Sequence, residues 1–203
     1  MNLNDPNFFY NDLTQIIGGE ILLSLSNSVK KHSNSELWLY PTSFEKRESE
    51  ILYWSYEVFR LDTDSTSEWD IYANAGPDSS CEPTIEMSLF LKKGKWVKNH
   101  TISQAELFGV IAHEIHHIAQ GYIPISENEL KPSDQLSYFL DPREKEAFHI
   151  GFRAQSFYSG RSIEDCMTDY LGPRVDLNIL TKEQSRKITR EWLDVDWHIV
   201  ENV

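Results

Sequence analysis

Apolar and polar positions divide the chain into two regimes. Between Glu36 and Trp96, aromatic and β-branched residues come in short runs or alternate with polar ones. From Ser103 onward, apolar residues recur every three or four positions. Period two lines one face of a strand, and a period near 3.6 lines one face of a helix. Thr84 to Leu91 alternates most cleanly, with Ile85, Met87, Leu89 and Leu91 on one side. Ser49 to Leu61 holds the run from Ile51 to Phe59, Glu36 to Tyr40 stops at Pro41, and Trp69 to Ala73 is short and β-like. Lys93-Gly94 predicts a tight turn into Lys95-Trp96-Val97. These segments predict a small, mostly antiparallel sheet.

The helical segments have recognisable ends. Residues 7 to 32 read as mostly helical, with a break or bend at Gly18-Gly19. Ser103 and Glu106 are spaced as a capping box, and Gly121 and Pro124 end the helix it opens. On that helix Leu107, Phe108, Ile111, Ala112, Ile115, Ile118 and Ala119 form the core stripe. Asp141 as N-cap and Pro142 as first residue open another helix, reaching about Tyr158. Two more follow, near Ser162 to Leu171 and Lys182 to Val200. The expected class is α+β in one domain, 1–203. Residues 1–100 supply a helix and the sheet, and 101–203 supply helices.

Composition narrows the partners. The 203 residues carry a net charge of −13, which argues against nucleic acid or anionic membrane. No apolar run approaches the ~18 residues of a membrane span. Met1 to Tyr10 has no signal-peptide pattern, and Cys81 and Cys166 are too few for a disulfide scaffold. A cytoplasmic protein is expected, with its oligomeric state open. Asp62-Thr63-Asp64-Ser65 lacks the glycine and terminal glutamate of a calcium loop and reads as a solvated turn.

His113-Glu114-Ile115-His116-His117 adds chemistry to this frame. In H-E-x-x-H on a helix, the histidines at i and i+4 share a face on which one ion can take both imidazoles. The glutamate stands beside them as a base. Here that face is opposite the core stripe, while His116 points elsewhere, as a surface or supporting residue. Catalytic zinc usually has three protein ligands and one open position. The metzincin pattern fails, because Gln120 and Ile123 stand where it needs Gly and His. Glu144 and Glu146 on the next long helix are the acidic candidates. Glu144 borders the small-residue stripe Ala147-Gly151-Ala154, which suits close approach to Gly109 on the motif helix. That favours Glu144 as ligand and keeps Glu146 as the alternative, although Glu144 also suits a capping role behind Asp141.

H-E-x-x-H followed 27 residues later by Glu144-Lys145-Glu146-Ala147, an E-x-x-A, resembles the gluzincin-type zinc metallopeptidases. More narrowly, it is similar to small single-domain metallopeptidases of bacteria and their phages. The likeness covers residues 103 to 158; Ala147-Phe148 departs from the Ala-Asn of the ImmA-like group. It implies a zincin-like fold, Zn²⁺ on His113, His117 and Glu144, and Glu114 as general base. It also implies a peptide or protein substrate, with the strand Thr84 to Leu91 offering an edge to it or serving as an ordinary core strand. Tyr138 and Tyr158 are the leading candidates to contact the oxyanion or substrate, ahead of Tyr122, His149 and Arg153. The alternatives are hydrolysis of another amide, or a zincin-like module without activity.

Overall fold

The computed structural model describes residues 14–23, 37–38, 42–46, 50–60, 69–77, 83–91, 100–120 and 135–195. Residues 14–23 form helix α1. Five strands follow: β1 (Leu37–Trp38), β2 (Thr42–Lys46), β3 (Glu50–Arg60), β4 (Trp69–Pro77) and β5 (Pro83–Leu91). Then come five helices: α2 (His100–Ala119), α3 (Gln135–Leu140), α4 (Pro142–Ser159), α5 (Ile163–Asp176) and α6 (Lys182–Leu193). The class is α+β.

The sheet runs β1-β3-β5-β4, with β2 also paired to β3. Three pairings are antiparallel, but the central one, β3 with β5, is parallel. The long strand β5 is therefore inserted between β3 and β4 rather than forming one edge of a hairpin array. This corrects the expectation that β5 offers an edge: both its sides are paired, and β4 ends the order.

Register explains the sheet's two faces. Trp54 and Ala75 both pair with Ile85, and Ala73 pairs with Met87. Trp54, Ile85, Met87 and Leu89 are buried on this face. They pack on Ile17 and Ile21 of α1 and on Leu107, Ile111 and Ile115 of α2. Tyr72, Asn74 and Glu86, on the intervening positions, are exposed. The alternation read from the sequence thus becomes one covered and one open face.

A second core belongs to the last four helices. Phe139, Phe148, Phe152, Met167, Leu171, Ile188 and Trp192 are its main members. Trp192 is fully buried, and its Nε1–H donates to the Phe139 carbonyl at 2.9 Å. The two cores meet where α2 crosses α4. There Ala112, Ile150 and Ala154 pack together with Tyr158 against them.

Several boundaries differ from the sequence reading. Gly18-Gly19 does not break α1; a Cβ on Gly18 would collide with the Phe108 ring, so the glycine serves helix packing. α2 starts at His100, which places Ser103 inside the helix rather than at its cap. α5 continues past Gly172 and through Pro173 to Asp176. Beyond the proline, Arg174 donates to the Tyr170 carbonyl at 2.6 Å and lies 3.9 Å over its ring, which supports that turn. β2 and α3 had no strong periodic signal. The Lys93-Gly94 turn, the Asp62–Ser65 turn, Cys81, Gly121, Tyr122 and Pro124 lie outside the described residues. Cys166 is a buried free thiol. Among the described residues no helix is long and apolar enough to cross a membrane.

Candidate metal centre

Two helices build the site. On α2, Leu107, Ile111 and Ile115 anchor one face in the sheet core, so His113 and His117 are turned toward α4. α4 begins at a defined point. Asp141 caps it by accepting from the Arg143 N–H at 2.9 Å, and Pro142 supplies the first helical residue. That start sets Glu144 on the first turn, where the helix dipole favours a carboxylate. Glu144 is buried, and its side chain faces the histidines rather than only the helix end.

His113 Nε2 lies 3.0 Å from His117 Nε2. Glu144 Oε2 is 3.6 Å from His113 Nε2, and Glu144 Oε1 is 3.5 Å from His117 Nε2. The donor atoms of these three residues lie within 4.8 Å of one another. Tetrahedral ligands on zinc at about 2.0–2.1 Å stand roughly 3.3 Å apart, so the observed spacing brackets that value. Glu144 Oε2 is buried without a hydrogen-bond partner. A buried carboxylate oxygen so placed, beside two imidazole nitrogens, fits a cation better than it fits an empty cluster.

The neighbours tune these groups. Burial lowers the His113 pKa well below its ordinary value, and the nearby His117 and His116 add to that; its ring also hydrogen-bonds the Ala147 backbone. A neutral imidazole is the form that binds metal. Burial also acts to lower His117, but the Glu144 carboxylate outweighs it and the pKa rises. His117 Nδ1 lies 3.0 Å from Gln120 Oε1.

Glu114 is buried beside the triad, and its carboxylate accepts a hydrogen bond from the backbone of Ala75 in β4. Burial pushes its pKa up to about 7, against the opposing pull of His117. Tyr138, on α3, lies close enough to Glu144 to feel its charge. Burial and then the Glu144 charge raise the phenol's pKa, so Tyr138 stays a neutral donor.

Other candidates stand elsewhere. The Glu146 carboxylate accepts from Gln120 Nε2 at 2.9 Å and lies 3.5 Å from His116 Nε2, apart from the triad. His116 is buried beside it and is not a surface residue. Tyr158 follows Glu144 by fourteen residues, roughly 21 Å along the helix axis. It stacks on Phe108 at 4.0 Å and is not brought to the triad. His149 points to the helical core, with Nδ1 2.6 Å from the Trp192 carbonyl. Sequence reasoning overlooked Gln120 and Ala75. Gln120 carried a signal, a long amide three residues after His117; Ala75 acts through its backbone and carried none.

Compared with protein-family models, curated proteins and solved structures, the chain finds no match.

Proposed function

We propose that this chain is a zincin-like, gluzincin-type metallopeptidase that hydrolyses peptide bonds with zinc as cofactor. The observation that carries the reading is the convergence of His113, His117 and Glu144 on one point. Glu114, the only other buried carboxylate among the described residues, stands next to them. His113, His117 and Glu144 would hold the ion. When bound, zinc supplies Lewis-acid polarisation of the scissile carbonyl and lowers the pKa of the attacking water.

The chain's own groups do the rest. Glu114 takes the water proton at its carboxylate and later delivers it to the leaving amine as the C–N bond breaks. Strand β4, which carries Ala75, is last in the order of the described strands, and an extended peptide adds to such an edge through backbone hydrogen bonds. That would bring a scissile bond alongside Glu114.

Metal analysis and peptide-library cleavage test this reading. The purified protein is expected to hold about one equivalent of zinc. Glu114→Gln should keep the zinc and lose cleavage. Failure to bind zinc tightly at neutral pH, with both histidines intact, would overturn the proposal.

A further inference from the structure

We infer that Gln120 is a positioning residue: it sets the tautomer of His117 and ties the histidine-bearing end of α2 to the turn of α4 that carries Glu144. The inference refines the metal-site reading above and rests on it for its consequence, but not for its geometry.

Hydrogen-bond chemistry fixes the amide. Gln120 Nε2 lies 3.1 Å from the Arg143 carbonyl and 2.9 Å from Glu146 Oε2. Both partners only accept, so the amide nitrogen must face them. Its oxygen then faces His117 Nδ1, at 3.0 Å. An amide oxygen only accepts, so Nδ1 must carry the proton. The remaining nitrogen, Nε2, points at His113 and Glu144 with its lone pair available. A hydrogen bond on one imidazole nitrogen in this way orients a ligand ring and raises its basicity.

The same amide spans two helices. Its two acceptors, Arg143 and Glu146, flank Glu144 on α4, while Gln120 follows His117 on α2. One side chain therefore holds the orientation of one ligand and the distance to the helix of another. Glu146 acquires a role from this arrangement: it anchors Gln120. Glycine at position 120 could make none of these contacts.

Nitrogen NMR of metal-free protein tests the inference without any variant, at a pH high enough to keep the imidazoles neutral. His117 is expected as the Nδ1–H tautomer. An Nε2–H tautomer would overturn the inference, whether or not the protein binds zinc. Gln120→Met, close in shape but without the amide, should release the tautomer preference and weaken zinc binding by about 10- to 100-fold in chelator competition. An unchanged tautomer and unchanged affinity in that variant would equally overturn it. Gln120→Glu keeps an acceptor for His117 but sets two carboxylates against each other. The exchange pair Gln120→Glu with Glu146→Gln restores a donor between the helices. It should recover part of the affinity lost in Gln120→Glu alone; no recovery would count against the bridge. A wild-type protein that shows the Nδ1–H tautomer but binds no zinc would sink the peptidase reading and leave the role of Gln120 standing.

Discussion

Gly109 and Gly151 face each other across the contact of α2 with α4. A Cβ on Gly109 would sit 2.9 Å from the Gly151 carbonyl oxygen, and one on Gly151 would sit 2.8 Å from that of Gly109. The Gly151 position is also within 3.2 Å of the His113 Cβ. Neither carbonyl can move without moving its helix. Gly151→Ala should therefore separate α2 from α4 and cost about 1–3 kcal/mol of stability. Because the histidines and Glu144 lie on opposite sides of this contact, zinc affinity should fall as well. Denaturant unfolding and chelator competition measure the two effects, and a variant with native values for both would contradict the close approach.

Tyr138→Phe removes one hydroxyl and little volume. That hydroxyl is near enough to Glu144 for the carboxylate's charge to raise its pKa, and it is the group on Tyr138 able to donate to that carboxylate. Bonds to charged groups contribute about 1.5–3 kcal/mol. The variant should keep its fold and bind zinc more weakly, by roughly tenfold or more on that scale. Isothermal titration would reveal an inert hydroxyl if the two affinities coincide.

The pH dependence of metal-free protein contains opposing contributions. Burial raises Glu114 from its ordinary 4.5 to about 7, so between these values the folded state holds a proton that the unfolded state releases. Stability from this group falls as pH rises through that window, by on the order of 3 kcal/mol. His149 acts the other way. Burial lowers its pKa below the ordinary 6.5, against the pull of the Trp192 carbonyl. Its contribution is complete above 6.5 and lost as pH falls below it. Comparing the protein with Glu114→Gln over this range isolates the first effect. A constant difference in unfolding free energy would show that Glu114 titrates normally.

Trp192 joins three helices of the second core. It is fully buried, stacks on Phe148 at 4.6 Å and donates to Phe139. Its carbonyl also meets His149. Trp192→Ala should cost about 3–5 kcal/mol. Thermal unfolding would place it well below wild type; a loss under about 1 kcal/mol would mean the core repacks around the gap.

Much of the local structure was legible. Alternation marked β5 because its buried face is a strict every-second-residue pattern, Ile85, Met87 and Leu89. Asp141-Pro142 marked the start of α4 because capping is a local contact between neighbours. β2 was not legible, since Thr42-Ser43-Phe44-Glu45-Lys46 has no apolar alternation and is a strand through its pairing with β3. α3 is only six residues long, too short for a helical period to register. The continuation of α5 through Pro173 runs against local preference. Gly18 looked like a breaker because its partner, Phe108, is far away in sequence.

The sequence by itself determined that two histidines share one helix face with a glutamate between them, and that Gly109 and the Ala147-Gly151-Ala154 stripe suit close packing. These follow from helical periodicity, which acts within a few residues. Only the tertiary structure shows Glu144, and not Glu146, beside the two histidines. Both lie on the same helix, and the rotation of α4 against α2 turned one toward the histidines and gave the other to Gln120. It likewise decided which of the described strands is last in the order, because inserting β5 between β3 and β4 depends on long-range pairing that no local pattern encodes. Local chemistry specified the parts, and the packing of distant segments specified which of them meet.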